Sequence, residues 1–198
     1  MNDIPLTQTS IALAVAVTFV LIASAIWFYN QRRRSQRLQQ RFGPEYRRTV
    51  DVLGSKSTAE SELLAREKRV ERLNLLPLEP AEAVRFTQAW KALQVRFVDN
   101  PKGVVMQADQ LVRELMAKRG YPMGDFEHRA ADISVDHPSV VEHYRAAQTI
   151  AVRDGRGEAN TEELRQAVVH YRVLFDELLE VRNANGIDAP APQVAAHS

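Results

Sequence analysis

The chain contains no cysteine, which excludes disulfides, thiolate catalysis and cysteine-ligated zinc. Glycine and proline are sparse, 8 and 9 of 198 residues, so a collagen-like or low-complexity chain is excluded. Neither charge is in excess: 26 Lys+Arg against 25 Asp+Glu leave a net charge of +1. That balance rules out an acidic-tail protein and gives no support to a globally basic nucleic-acid binder. The sequence also lacks a Walker-type phosphate loop, the G-x-G-x-x-G dinucleotide fingerprint, the G-x-S-x-G elbow and the H-E-x-x-H zinc pair. No catalytic residue is assigned, and no cofactor or metal is expected. A length of 198 residues suits one ordinary domain and is too short for two large ones.

The most informative absence is local. Between Asp3 and Arg32 lie 28 residues without a charge, and Ser10 to Tyr29 holds 17 apolar residues in 20. An apolar helix of about 20 residues spans a hydrocarbon core of ~30 Å, because each residue advances ~1.5 Å. Trp27 and Tyr29 fall at one end, where amphipathic rings favour the headgroup layer. Residues 10–29 are therefore expected to form a transmembrane helix. Arg32, Arg33, Arg34, Arg37 and Arg41 follow it, and Asp3 is the sole charged side chain before it. The positive-inside rule then places the 169 residues after Tyr29 in the cytoplasm and the N-terminus outside. Ala23-Ser24-Ala25 has the form of a signal-peptide cleavage site, but Met1 to Ser10 lacks the basic residues a signal peptide requires. An uncleaved anchor is expected.

The five arginines are also lipid-contact candidates. Residues 32–48 carry seven Arg and one Glu, whereas residues 49–198 carry 19 basic and 23 acidic groups. A basic collar can hold anionic headgroups at roughly 1 kcal/mol per well-placed arginine. The acidic remainder disfavours a nucleic-acid partner.

Beyond the collar the pattern is helical throughout. Gly43-Pro44 breaks the first helix, and Pro44 starts a short one with Tyr46, Val50 and Leu53 on one face. Ser57-x-x-Glu60 has capping-box form and predicts a charged helix over 57–76. Its thin apolar stripe of Leu63, Val70 and Leu73 suits a partner-facing element, with Arg66, Arg69 and Arg72 as partner-contact candidates. Phe86, Trp90, Leu93 and Phe97 recur at the helical period after Pro80. Asn100-Pro101 opens a further helix, with Val104, Val105, Ala108, Leu111, Val112, Leu115 and Met116 inward, which Gly120 ends. A short segment over 125–133 leads to a helix capped by Asp136 or His137, with Val140, Val141, Tyr144, Ala147 and Ala151 inward. Asn160 to Glu163 cap the last helix, whose stripe runs from Leu164 to Leu179. No stretch alternates at period two. The expected class is all-α, one transmembrane helix plus a small antiparallel cytoplasmic bundle. Its divisions are an extracytoplasmic N-terminus (1–9), the span (10–29), a basic juxtamembrane segment (30–56), the helical domain (57–182) and a disordered tail (183–198).

One polar constellation stands out: Asp125, Glu127, His128, Asp132, Asp136, His137, Glu142 and His143. Histidine and carboxylate can ligate a divalent metal, but these spacings scatter the ligands over different helix faces. The repeated His143-Tyr144-Arg145 and His170-Tyr171-Arg172 place each tyrosine on an apolar face with His and Arg at its edge, a packing arrangement.

Taken in order, Arg41-Phe42-Gly43-Pro44-Glu45-Tyr46, Arg96-Phe97-Val98-Asp99 before Pro101, Arg119-Gly120-Tyr121-Pro122, Ser134-Val135-Asp136-His137-Pro138 and Leu164-Arg165-Gln166-Ala167 with His170-Tyr171-Arg172 resemble a family of bacterial single-pass membrane proteins. The resemblance covers most of residues 10–180. It implies a bacterial inner-membrane location and brings no activity, cofactor or catalytic residue with it. The expected function is a membrane-anchored interaction module, a scaffold or adaptor with a protein partner or a second copy. The rival expectation is a membrane-tethered enzyme or ligand-binding domain with a polar site around residues 121–143.

Overall fold

Turn chemistry at the helix ends divides the chain into eight helices among the described residues. The computed structural model describes residues 6–179, 181–182 and 188–189, with side chains described for residues 13 and 15–179. The helices are α1 (Leu6–Phe42), α2 (Pro44–Leu53), α3 (Lys56–Val70), α4 (Pro80–Arg96), α5 (Pro101–Arg119), α6 (Phe126–Asp136), α7 (Val141–Gly155) and α8 (Thr161–Leu178). Val181–Arg182 pairs antiparallel with Asp188–Ala189, too short a ladder to change the all-α class. The other residues of the expected tail, and residues 1–5 of the expected N-terminus, lie outside the described residues.

Two compact units result, Met1–Arg41 and Phe42–Ser198. The first is essentially α1. Its large apolar side chains from Leu13 to Tyr29 are exposed, none less than 51 %. Among the described residues no helix is long and apolar enough to cross a membrane. The expected span opens on residues 10–12 and 14, whose side chains lie outside that description.

The second unit is built on α4, α5, α7 and α8. Glu82 meets Lys118, so α4 and α5, joined by a short turn, run antiparallel. His143 meets His170 and Arg153 meets Glu163; the numbers rise on α7 as they fall on α8, which makes that pair antiparallel as well. Asp109 reaches Tyr171 and Arg119 reaches the Leu178 carbonyl, so α5 and α8 are parallel. The expected apolar faces are the ones that meet: Phe86, Trp90, Leu93, Val104, Val105, Ala108, Val112, Leu115, Met116, Val141, Tyr144, Ala147, Tyr171, Leu174 and Phe175 form one buried core. Phe97, Leu111, Ala151 and Val168 pack against its edge.

Caps account for the boundaries. Asn100 Oδ1 accepts the Gly103 N–H, and Asn160 with Glu163 closes a full capping box. Gly120 ends α5 at φ +92, where a Cβ would lie 2.6 Å from the Asn74 carbonyl oxygen. Only glycine meets both demands.

Three expectations need correction. The charged helix starts at Lys56 and ends at Val70, not 57–76, because Ser55 is the N-cap and accepts from Thr58 N–H. Glu60 closes no capping box; it is buried and accepts the Tyr46 hydroxyl at 2.8 Å. The segment over 125–133 is itself part of a helix, α6, capped by Asp125. His137 therefore ends α6 instead of starting α7, whose N-cap is Val140. Finally, on α2, Tyr46 of the expected apolar face is buried and Val50 half-buried, Leu53 is 41 % exposed, and the polar Glu45 and Thr49 are buried beside Tyr46.

Candidate functional site

Helices α2 and α3 supply no residue to the main apolar core. They are held on the body by a carboxylate. Glu45 sits in the first turn of α2 behind Pro44 and is only 2 % exposed. An isolated carboxylate at that depth would be costly, so it must be paired. Arg66 of α3 donates to it at 3.0 Å, and Arg145 of α7 donates two hydrogen bonds, at 2.9 and 3.3 Å. Arg145 also donates to Glu127 of α6 at 2.6 Å. Burial works against the Arg145 charge, but the hydrogen bonds to Glu45 and Glu127 outweigh it and raise its pKa above the usual arginine value. A second buried acid repeats the pattern: Asp132 of α6 accepts from Arg69 of α3 at 2.8 Å.

Two adjoining cavities of about 440 and 450 Å³ flank the Arg145–Glu127 bridge and share Arg48, Glu127 and Arg145. Glu62 and Arg66 line the first; Arg153 and Arg156 line the second. Volumes of this size match small-ligand clefts.

The chain matches no family model, no curated protein and no solved structure.

The sequence candidates distribute as follows. Arg32, Arg33, Arg34 and Arg37 are exposed on α1 and Arg41 is half-buried; the Arg33 guanidinium lies 4.6 Å from the Tyr29 ring centroid. Of the partner-contact candidates, Arg66 and Arg69 are engaged inside the body by Glu45 and Asp132, and Arg72, beyond the end of α3, is exposed. The polar constellation of residues 125–143 is dispersed: Asp125 caps α6 and holds His128, Asp132 pairs with Arg69, and His137 meets Glu177 at 3.0 Å. Among the described residues no three such groups are placed to hold a metal ion. Of that constellation only Glu127 lines the groove.

Another contact was not foreseen. His143 and His170 face each other across α7 and α8 with Nδ1 atoms 2.8 Å apart. Burial, and then the neighbouring His143, lower the His170 pKa below its ordinary value. The Tyr144 and Tyr171 hydroxyls beside them have pKa values raised chiefly by burial, so both stay neutral. Tyr144 accepts from Arg129 and Tyr171 donates to Asp109. In the sequence His143 and His170 are equivalent edge residues, and their recurrence within identical His-Tyr-Arg triplets is the one signal of the contact.

Proposed function

We propose that this chain is a membrane-anchored helical interaction module of the bacterial inner membrane, with its N-terminus outside and its helical body in the cytoplasm. One observation carries the reading. From Leu13 to Tyr29, α1 presents eleven large apolar side chains, each more than half exposed. Covering such a side chain is worth about 1.5–3 kcal/mol, so leaving all of them in water costs on the order of 20 kcal/mol. A contiguous apolar surface with that much to gain from burial marks a membrane or partner contact, so the surface needs a cover. A bilayer supplies one, and the arginine collar that follows supports the orientation. The resemblance to single-pass bacterial membrane proteins agrees with it.

On this reading the body serves a protein partner, or a second copy, near the bilayer. Arg72 and the exposed Val84, Val95 and Val98 of the α4 region offer contact points. A photo-crosslinker placed at position 72 or 95 in intact membranes should trap a discrete species. Crosslinking no greater than at random exposed positions on the body would count against the module.

A further inference from the structure

We propose that the cavity beside Arg145 is a binding site for a phosphomonoester and that Glu127 occupies its anion position in the ligand-free chain. Arg145 is built for the purpose. Its side chain is 13 % exposed, and one side is locked to the buried Glu45 by two hydrogen bonds. Its Nη1 is left to face Glu127, whose side chain is 64 % exposed. The two carboxylates therefore differ in kind. Glu45 is fixed by burial, whereas Glu127 lies at the surface and can swing out, exchanging protein hydrogen bonds for water at little cost. The Glu127 carboxylate also lies 3.7 Å from Arg48 Nη2, so it marks the point where an anion meets both guanidinium groups.

The same cavity, about 450 Å³, is lined further by Arg153 and Arg156. Arg153 is held by Glu163; among the described residues Arg156 has no carboxylate partner. The lining is thus strongly basic on a body that is acidic as a whole. The ligand class follows from competition. Glu127 is tethered beside Arg145, so its local concentration far exceeds that of a free anion. A ligand carboxylate of the same charge would lose that competition. A phosphomonoester carries close to two negative charges and three acceptor oxygens, enough to displace Glu127 and engage Arg48, Arg145 and Arg156 together. Arginine forks suit that geometry. The inference does not depend on the membrane reading, since the groove lies within the helical body.

The test uses the full chain, reconstituted in phosphatidylcholine bilayers and titrated calorimetrically with inorganic phosphate and with glycerol 3-phosphate. Glu127→Gln removes the competing charge and should tighten phosphate binding by about three- to tenfold. The pair Arg48→Glu with Arg156→Glu should weaken it by at least about tenfold, on the scale set by loss of charge-assisted contacts. Glu127→Gln leaves Glu45–Arg145 intact. Arg48 also lies 3.9 Å from Glu45, so the double variant is read only with an unchanged melting curve. Arg156→Glu alone, which should weaken binding by at least about threefold, is the check that leaves Glu45 untouched. If the phosphate is a lipid headgroup, admixed phosphatidic acid abolishes phosphate binding to the parent. If it is a free ester, phosphatidic acid has no effect and glycerol 3-phosphate binds more tightly than phosphate. No binding by the parent, or a Glu127→Gln variant that binds no more tightly, would overturn the site.

Discussion

Glu45 shows how much one buried charge can organise. It joins three helices through Arg66, 21 residues away, and Arg145, 100 residues away. Glu45→Ala would leave Arg145 to Glu127 and Arg66 to Glu62, both at the surface. Losing the buried partner should cost less than the ~3–5 kcal/mol of a fully orphaned buried charge, and thermal melting should register a loss of about 1–3 kcal/mol. Trp90→Ala should be more severe, about 3–5 kcal/mol, because the ring is fully buried and its centroid lies 4.7 Å from that of Phe175. His170 supplies a pH dependence. Its folded pKa lies below the ordinary 6.5, so as the pH falls the unfolded chain takes up the proton first. Stability is therefore full above that value and declines as the pH drops through it toward the lowered folded value. Denaturant melts at stepped pH should show that slope diminished in His170→Gln. None of these pairings could be read from the chain, because periodicity reports which face is apolar and is silent on which distant charge meets which.

Local signals located the helices well where a cap and an apolar stripe agreed. Asn100 with Gly120 bounded α5, and Asn160 with Glu163 opened α8. Two serines compete for the α3 cap, Ser55 winning over Ser57, and α6 hides its core residues among Asp, Glu and His, so neither helix start is legible from local signals. The buried faces of α2 and α3 include Glu45, Glu60 and Glu67; acids of that kind read as solvated until their partners are known. The consequence for α3 is testable. Arg66→Glu with Arg69→Glu sets a carboxylate beside buried Glu45 and Asp132 and should lower the melting temperature strongly, whereas Arg72→Glu should leave it nearly unchanged. At the α5 end, Gly120→Ala meets both a left-handed backbone and the Asn74 carbonyl. Its destabilisation should exceed about 1 kcal/mol in a denaturant melt.

Across the whole molecule, the apolar core runs from Leu78 to Leu179, with Leu73 and Leu75 against its edge and the Leu76 N–H donating to the Arg119 carbonyl. The apolar core alone would begin near Arg72, but buried Asp132 and half-buried Arg145 take their partners from α3 and α2, so the unit that folds alone should begin near Phe42. The remaining and larger claim concerns α1, whose exposed apolar surface demands a cover. Because the chain has no cysteine, single introduced thiols report topology without background. The decisive measurement is labelling of Thr7→Cys and Ser57→Cys in intact bacterial cells by a maleimide that cannot cross the inner membrane. A bilayer-spanning α1 predicts that position 7 is labelled at once and position 57 only after lysis, both on a full-length chain that sediments with membranes. Equal labelling of the two positions, protection of position 7, or a released chain cut after Ala25 would contradict it.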